Sequence, residues 1–206
     1  MGHPASGFMQ RTIDEVTGIR AGEVFSGARG ECLEDGHPGV CVQLGCGHKP
    51  WQGWLNVDGD RASTHADIVA DLRTIPLPDG HADVMAAIHV IEHFYVWDVP
   101  EVLAEWQRIL KPGGLLILEL PSMDKVAKYL KACLDQGKPF WAQMSWWAMW
   151  GDPRYKDPTM CHKWGYTEPM MQRTLQDAGF VEIAIEEPRY HVKQRDMRVT
   201  ARKVAA

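Results

Sequence analysis

From Val40 onward the chain is built of short apolar runs, each closed by Gly, Asp or Pro, at spacings that suit strands buried on both faces of a parallel sheet. Strands are expected near 40–45, 54–58, 67–71, 82–88 and 114–120. Between the last two lies the clearest helix, with Val99, Val102, Leu103, Trp106, Ile109 and Leu110 on one face. Asp98, with Glu101 three residues on, reads as a capping box, and Lys111-Pro112-Gly113-Gly114 forbids continuation. Two more helices are expected, one from Ser122 to Gly137 packing Val126, Ala127, Leu130 and Leu134, the other from Thr167 to Gly179. Strand, helix and strand in repetition require a parallel α/β sheet. Val181, Ile183 and Ile185 then alternate, Pro188 breaks the run, and Met197, Val199 and Ala201 alternate again, which predicts an antiparallel pair at the end.

A chain of 206 residues, 45% of them apolar, suits one such domain and one core. Its expected span is 40–206, with an aromatic-rich insertion at about 138–166 and a Gly- and charge-rich lead-in at 1–39. A net charge of -5 with no sustained Lys/Arg run makes nucleic acid a poor partner. The five cysteines form no C-x-x-C pair, so neither a disulfide framework nor a zinc knuckle is expected and a reducing cytoplasm fits best. No run approaches the roughly 18 apolar residues of a spanning helix, and the first residues do not read as an export signal, so stable membrane insertion is not expected. No H-x-x-H or carboxylate cluster with ligand spacing occurs, and no metal is expected.

Val40-Cys41-Val42-Gln43-Leu44-Gly45-Cys46-Gly47 is a strand entering a G-x-G turn, where missing side chains let backbone N–H groups approach a ligand. Alone it could be an ordinary tight turn. Asp58 closes the next strand, where a carboxylate can accept two hydrogen bonds from a ribose diol. Asp71-Leu72 closes the third, with a carboxylate for an exocyclic amine and a backbone N–H for a ring nitrogen. Only ten residues separate Gly47 from Asp58, among them Pro50 and Gly53, so the first crossover helix should be very short or absent.

Ile88-His89-Val90-Ile91-Glu92-His93 and the passage from Arg108 through Gly114 into Leu115-Leu116-Ile117-Leu118 resemble class I S-adenosylmethionine-dependent methyltransferases. The resemblance covers about residues 40–121. It implies a Rossmann-like three-layer sandwich whose mostly parallel, seven-stranded sheet ends antiparallel, and S-adenosylmethionine as cofactor, leaving as S-adenosylhomocysteine. Carried over, it sets Gly45, Cys46 and Gly47 by the methionine and ribose, Asp58 on the ribose hydroxyls, Asp71 and Leu72 on the adenine, and His89 at the amino acid end. Gln43, where the family often has an acidic residue, and Lys49, where it often has a third glycine, depart from the pattern. Lys49 could instead meet the methionine carboxylate. Glu92 reads as bonding backbone near the glycine turn and His93 as packing beneath the pocket, with proton chemistry as the sharper alternative.

In this architecture insertions after the fifth strand stand over the reactive end of the cofactor. Trp147, Trp150, Trp164 and Tyr166 there could wall off water and stack on an acceptor, or form a satellite core. His162 is the first candidate base for a hydroxyl acceptor, with Asp152 and Asp157 next. The segment from Gly151 to Tyr166 resembles one seen in methyltransferases encoded near glycosyltransferases, which implies a sugar or glycan hydroxyl. The expected function is O-methylation of a small hydroxylated molecule or glycan; the alternative is a non-catalytic module that binds S-adenosylmethionine or a partner.

Asp58→Ala tests the cofactor reading. It is expected to weaken S-adenosylmethionine binding, measured by calorimetry, by about 2 to 4 kcal/mol through loss of paired charge-assisted hydrogen bonds. An unchanged affinity in the folded variant would remove Asp58 from the site.

Overall fold

A computed structural model describes residues 34, 36–37, 39–59, 65–137 and 143–205; the lead-in up to residue 33, including Cys32, and Trp141 lie outside the described residues. Seven strands form one sheet: β1 (Cys41–Leu44), β2 (Leu55–Asp58), β3 (Ile68–Val69), β4 (Ala82–Ile88), β5 (Leu110–Pro121), β6 (Phe180–Glu186) and β7 (Asp196–Lys203), in the order β3-β2-β1-β4-β5-β7-β6. The first five are parallel, and β7 is antiparallel to both β5 and β6. The expected antiparallel ending is therefore present, with the last strand inserted beside β5. The strand order reverses at β1 and β4, so the carboxyl ends of β1, β2 and β4 open onto one crevice.

Helix α1 (Val99–Ile109) buries Val99, Val102, Leu103, Trp106 and Ile109, as its periodicity predicts. Its N-terminus differs from expectation: Asp98 is in the αR region and its side chain makes no cap bond, while Pro100 sits in the first turn. Helix α2 (Met123–Asp135) buries Val126 and Cys133, whereas Leu134 is exposed, so the sequence placed its apolar face partly wrongly. Helix α3 (Gln143–Trp150) packs on α2, where the Ser145 hydroxyl donates to the Val126 carbonyl at 3.3 Å. Helix α4 (Glu168–Asp177) starts at the predicted Thr167, whose hydroxyl accepts from Met170 N–H. No helix among the described residues is long and apolar enough to cross a membrane.

One face of the sheet is sealed by α1 and α4 in a core that includes Val42, Leu44, Met85, Leu116 and Met171. On the other face, Trp51, Trp54 and Tyr190 cover Cys41, Val84, Ala86 and Ile117. Trp51 stacks on Tyr190 at 4.9 Å and meets Trp54 edge-on at 4.9 Å. No helix forms between β1 and β2; the Trp51 loop fills that space. It is fixed by buried amides: Trp51 N–H faces Gln43 Oε1 at 2.9 Å and Asn56 Oδ1 at 2.8 Å, and Asn56 Nδ2 donates to the Trp51 and Trp54 carbonyls. Gln43 thus supplies an acceptor to the loop that replaces the helix.

Trp106 joins α1 to the loop after β3 by donating Nε1–H to the Leu72 carbonyl at 2.9 Å in a fully buried setting. Trp106→Phe, which leaves that carbonyl unpartnered, is expected to cost about 1–3 kcal/mol in chemical denaturation, and Trp106→Ala about 3–5 kcal/mol. Equal losses for the two would show that the ring contributes nothing beyond the hydrogen bond.

Candidate functional site

The glycine turn continues β1 directly. Gly45 (φ 64°) and Gly47 (φ 53°) are both left-handed, a region that costs other residues about 1–2 kcal/mol. Their surroundings differ. A Cβ on Gly45 would lie 2.5 Å from Val90 Cγ2, whereas one on Gly47 would meet nothing within 4 Å. Gly45 is therefore fixed by packing, and Gly47 borders open space.

The backbone N–H groups of the turn point inward. Gly45 and Cys46 donate to the Val57 carbonyl at 2.8 and 3.4 Å, and Gly47 donates to Asp58 Oδ2 at 2.6 Å. The sequence reading had them facing a ligand; here they fasten the turn to β2 and set the Asp58 carboxylate against it. Asp58 is 8% exposed and ends β2, where the strand's carboxyl end faces the crevice. Asp71 is exposed and engaged with Arg73, whose guanidinium holds the carboxyl below its usual range. Leu72 is buried, and its carbonyl is taken by Trp106.

His89 ends β4 with φ 55°, rare for a residue with a side chain. Its N–H donates to the Glu119 carbonyl at 2.7 Å. Its ring lies between two carboxylates, Nδ1 at 2.9 Å from Glu92 Oε1 and Nε2 at 3.4 Å from Asp196 Oδ2, and packs 4.1 Å from the His191 ring. Burial works against the imidazolium, but Asp196 and Glu92 outweigh it and raise His89 to about 9. Burial likewise disfavours the Glu92 carboxylate, and the His89 charge overcomes it and lowers Glu92 to about 2. Arg195 holds both Asp196 oxygens at 2.7 Å. His89 is thus turned into a buried ion network at the end of β4.

Glu92 also departs from the sequence reading. Its carbonyl accepts from Lys163 N–H at 2.7 Å and Trp164 N–H at 3.3 Å, which fastens the insertion to the turn after β4. Its side chain faces His89 and, at 4.0 Å, His162 Nε2, not the glycine turn. His162 donates Nδ1–H to the Ala148 carbonyl at 2.7 Å, because a carbonyl can only accept. Burial, against the pull of Glu92, holds His162 below the ordinary imidazole value.

The two candidate carboxylate bases are occupied. Asp152 accepts from Arg154 N–H at 2.9 Å and is ion-paired to the Arg154 guanidinium, and Asp157 accepts from Thr159 N–H at 2.8 Å. Both cap short 3₁₀ turns, at Pro153–Tyr155 and Pro158–Met160. Of the four predicted acceptor-binding aromatics, Trp147 and Trp150 line a cleft of about 560 Å³ together with Trp146, Asp152, Asp157 and Met160. Trp164 is exposed elsewhere, and Tyr166 is buried in the main core with no partner for its hydroxyl. His162 does not line the cleft. Sequence reasoning missed His191, Arg195 and Asp196, which read there as an ordinary polar connection between strands.

Gly45→Ala and Gly47→Ala should separate packing from binding. Both incur left-handed strain of about 1–2 kcal/mol. Gly45→Ala should lose further stability in denaturant because of Val90, while Gly47→Ala should show its larger defect in S-adenosylmethionine affinity by calorimetry. Identical behaviour of the two variants would contradict this division.

Residues 43–118 match the family model described as a methyltransferase domain. A 52-residue stretch is 38% identical to a "Probable S-adenosylmethionine-dependent methyltransferase" of Mycolicibacterium smegmatis, covering 25% of this chain and 20% of that protein. A 65-residue stretch is 32% identical to the malonyl-[acyl-carrier protein] O-methyltransferase of Serratia marcescens, covering 32% and 25%. The chain thus spans about a fifth to a quarter of the length of these curated relatives. A solved SAM-dependent methyltransferase of Thermotoga maritima shares the fold, with a TM-score of 0.57 over 96% of this chain and 99% of that one at 14% identity. Through the domain match, which spans just over a third of the chain, and the topology of its sheet, the chain is similar to S-adenosylmethionine-dependent methyltransferases and shares their fold.

Proposed function

We propose that the chain transfers the methyl group of S-adenosylmethionine to a hydroxyl of a small hydroxylated molecule or sugar, and that it does so in the cytoplasm. The observation that carries the acceptor reading is the cleft walled by Trp146, Trp147 and Trp150. Flat indole faces suit the apolar face of a sugar ring, and the polar groups at the rim leave room for its hydroxyls. Arg154 lies over the Trp147 ring at 4.6 Å, which stiffens that wall.

On the donor side, Asp58 would receive the ribose hydroxyls, the open space beside Gly47 would admit the sugar and methionine, and Leu72 would flank the adenine. The adenine amine would have to share Asp71 with Arg73. The bound cofactor supplies an already activated methyl group, so the main task of the chain is alignment in a site that excludes water. The Serratia relative is named as an O-methyltransferase, which agrees with an oxygen acceptor. The carboxylates lining the cleft hold backbone N–H groups and make weak bases. His162, the first candidate base, stands behind the cleft wall and does not line it.

S-adenosylmethionine and S-adenosylhomocysteine should both bind in calorimetric titration, and a nicotinamide dinucleotide should not. With a sugar acceptor found by screening, Trp150→Ala should raise the acceptor KM roughly tenfold with kcat nearly unchanged, the mark of lost uniform binding. Cofactor binding with no turnover on any hydroxylated acceptor would favour the non-catalytic module instead.

A further inference from the structure

Behind the cleft wall three side chains converge from two distant parts of the sequence. Glu92 and His93 lie in the 3₁₀ turn Ile91–His93 after β4, and His162 follows the segment that gives Pro158, Met160 and Cys161 to the cleft. One ligating atom from each of Glu92, His93 and His162 lies within 4.8 Å of the other two. Each imidazole is anchored on its far side: His162 Nδ1–H on the Ala148 carbonyl at 2.7 Å, and His93 Nδ1–H on the Thr159 carbonyl at 3.1 Å. The rings meet edge-on at 4.8 Å. Such backbone anchoring fixes the tautomer that leaves Nε2 as a lone-pair donor, as in histidines that bind metals.

Glu92 supplies the independent observation. Its side chain is 2% exposed, and neither carboxylate oxygen makes a hydrogen bond of good geometry, even though His89 is near. The His89 imidazolium, 2.9 Å away on the Oε1 side, offsets part of this charge, while Oε2 is left buried with no hydrogen bond, a condition that a second cation would relieve. The second histidine cluster, His89, His191 and Asp196, differs: the Asp196 oxygens are both held by Arg195, and the His89 ring is committed between two carboxylates.

We propose that Glu92, His93 and His162 bind a divalent transition-metal ion of the zinc class. Two imidazole nitrogens and one carboxylate oxygen are a borderline donor set that such ions favour over magnesium or calcium. Ligands about 2.1 Å from a tetrahedral ion stand about 3.4 Å apart, so the 4.0 Å between His162 Nε2 and Glu92 Oε1 closes with a shift of roughly half an ångström. The ion would lock the insertion, and with it the cleft wall, onto the turn after β4. The site does not depend on methyl transfer and can be tested without it.

The test uses the full chain, stripped with a chelator and dialysed, then titrated with Co²⁺ while its visible absorption is followed, and afterwards with Zn²⁺ as competitor. One equivalent of Co²⁺ should give a spectrum characteristic of nitrogen and oxygen ligands, and Zn²⁺ should abolish it. His93→Asn, at a half-buried position that should tolerate the change, and His162→Asn should each weaken Co²⁺ binding at least tenfold, while His48→Asn, at an exposed site elsewhere, should not. Circular dichroism checks that each variant is folded. No Co²⁺ spectrum, or one that survives in folded His93→Asn and His162→Asn alike, overturns the proposal.

Discussion

The fold turns on a buried exchange of charge where β4 and β5 end and the antiparallel β7 begins. His89 lies between Glu92 and Asp196, Arg195 clamps Asp196, and the Glu119 carboxylate accepts from the N–H groups of Arg189 and Tyr190 while facing Arg198 at 3.2 Å. Arg198 also meets Glu34 at 2.9 Å, so a residue ahead of β1 joins the same network. Each charge taken out of water here is matched by an opposite one, and removing a single member would leave an uncompensated buried ion, a loss of about 3–5 kcal/mol. The network holds His89 in its left-handed conformation and binds the antiparallel ending to the parallel half of the sheet.

That arrangement explains how the domain manages without a helix between β1 and β2. Elsewhere in such sheets a crossover helix covers the second face and offers its N-terminus to the ligand. Here the cover is aromatic, Trp51 and Trp54 packed against Tyr190, and Tyr190 is itself positioned by Glu119. The glycine turn directs its N–H groups into β2, so what this end of the crevice presents is the Asp58 carboxylate and the space next to Gly47.

Much of this was legible in the sequence. Apolar runs ending in Gly or Asp located the five parallel strands, because a strand buried on both faces leaves an uninterrupted apolar signature. The poor helix formers between Gly47 and Asp58 foretold the missing helix. The errors came where short-range rules met tertiary context. Asp98 satisfied the capping pattern but makes no cap bond, and Leu134 satisfied helical periodicity yet faces solvent. Asp152 and Asp157, candidate bases in the sequence, also cap short proline-containing turns, a role that becomes visible only once the backbone is placed.

The sequence by itself determined the sheet, its antiparallel ending, the glycine turn and the acidic strand end at Asp58, because each is written in the period or chemistry of neighbouring residues. Only the tertiary structure decided which distant side chains share a buried space. Glu92 meets His162, and His89 meets Asp196, across separations in the chain that carry no local pattern, since contacts made by folding a sheet back on itself leave no period to read. The same physics set the Trp147 and Trp150 walls apart from the core position of Tyr166: all are aromatic in sequence, and only packing distinguishes a cleft from an interior.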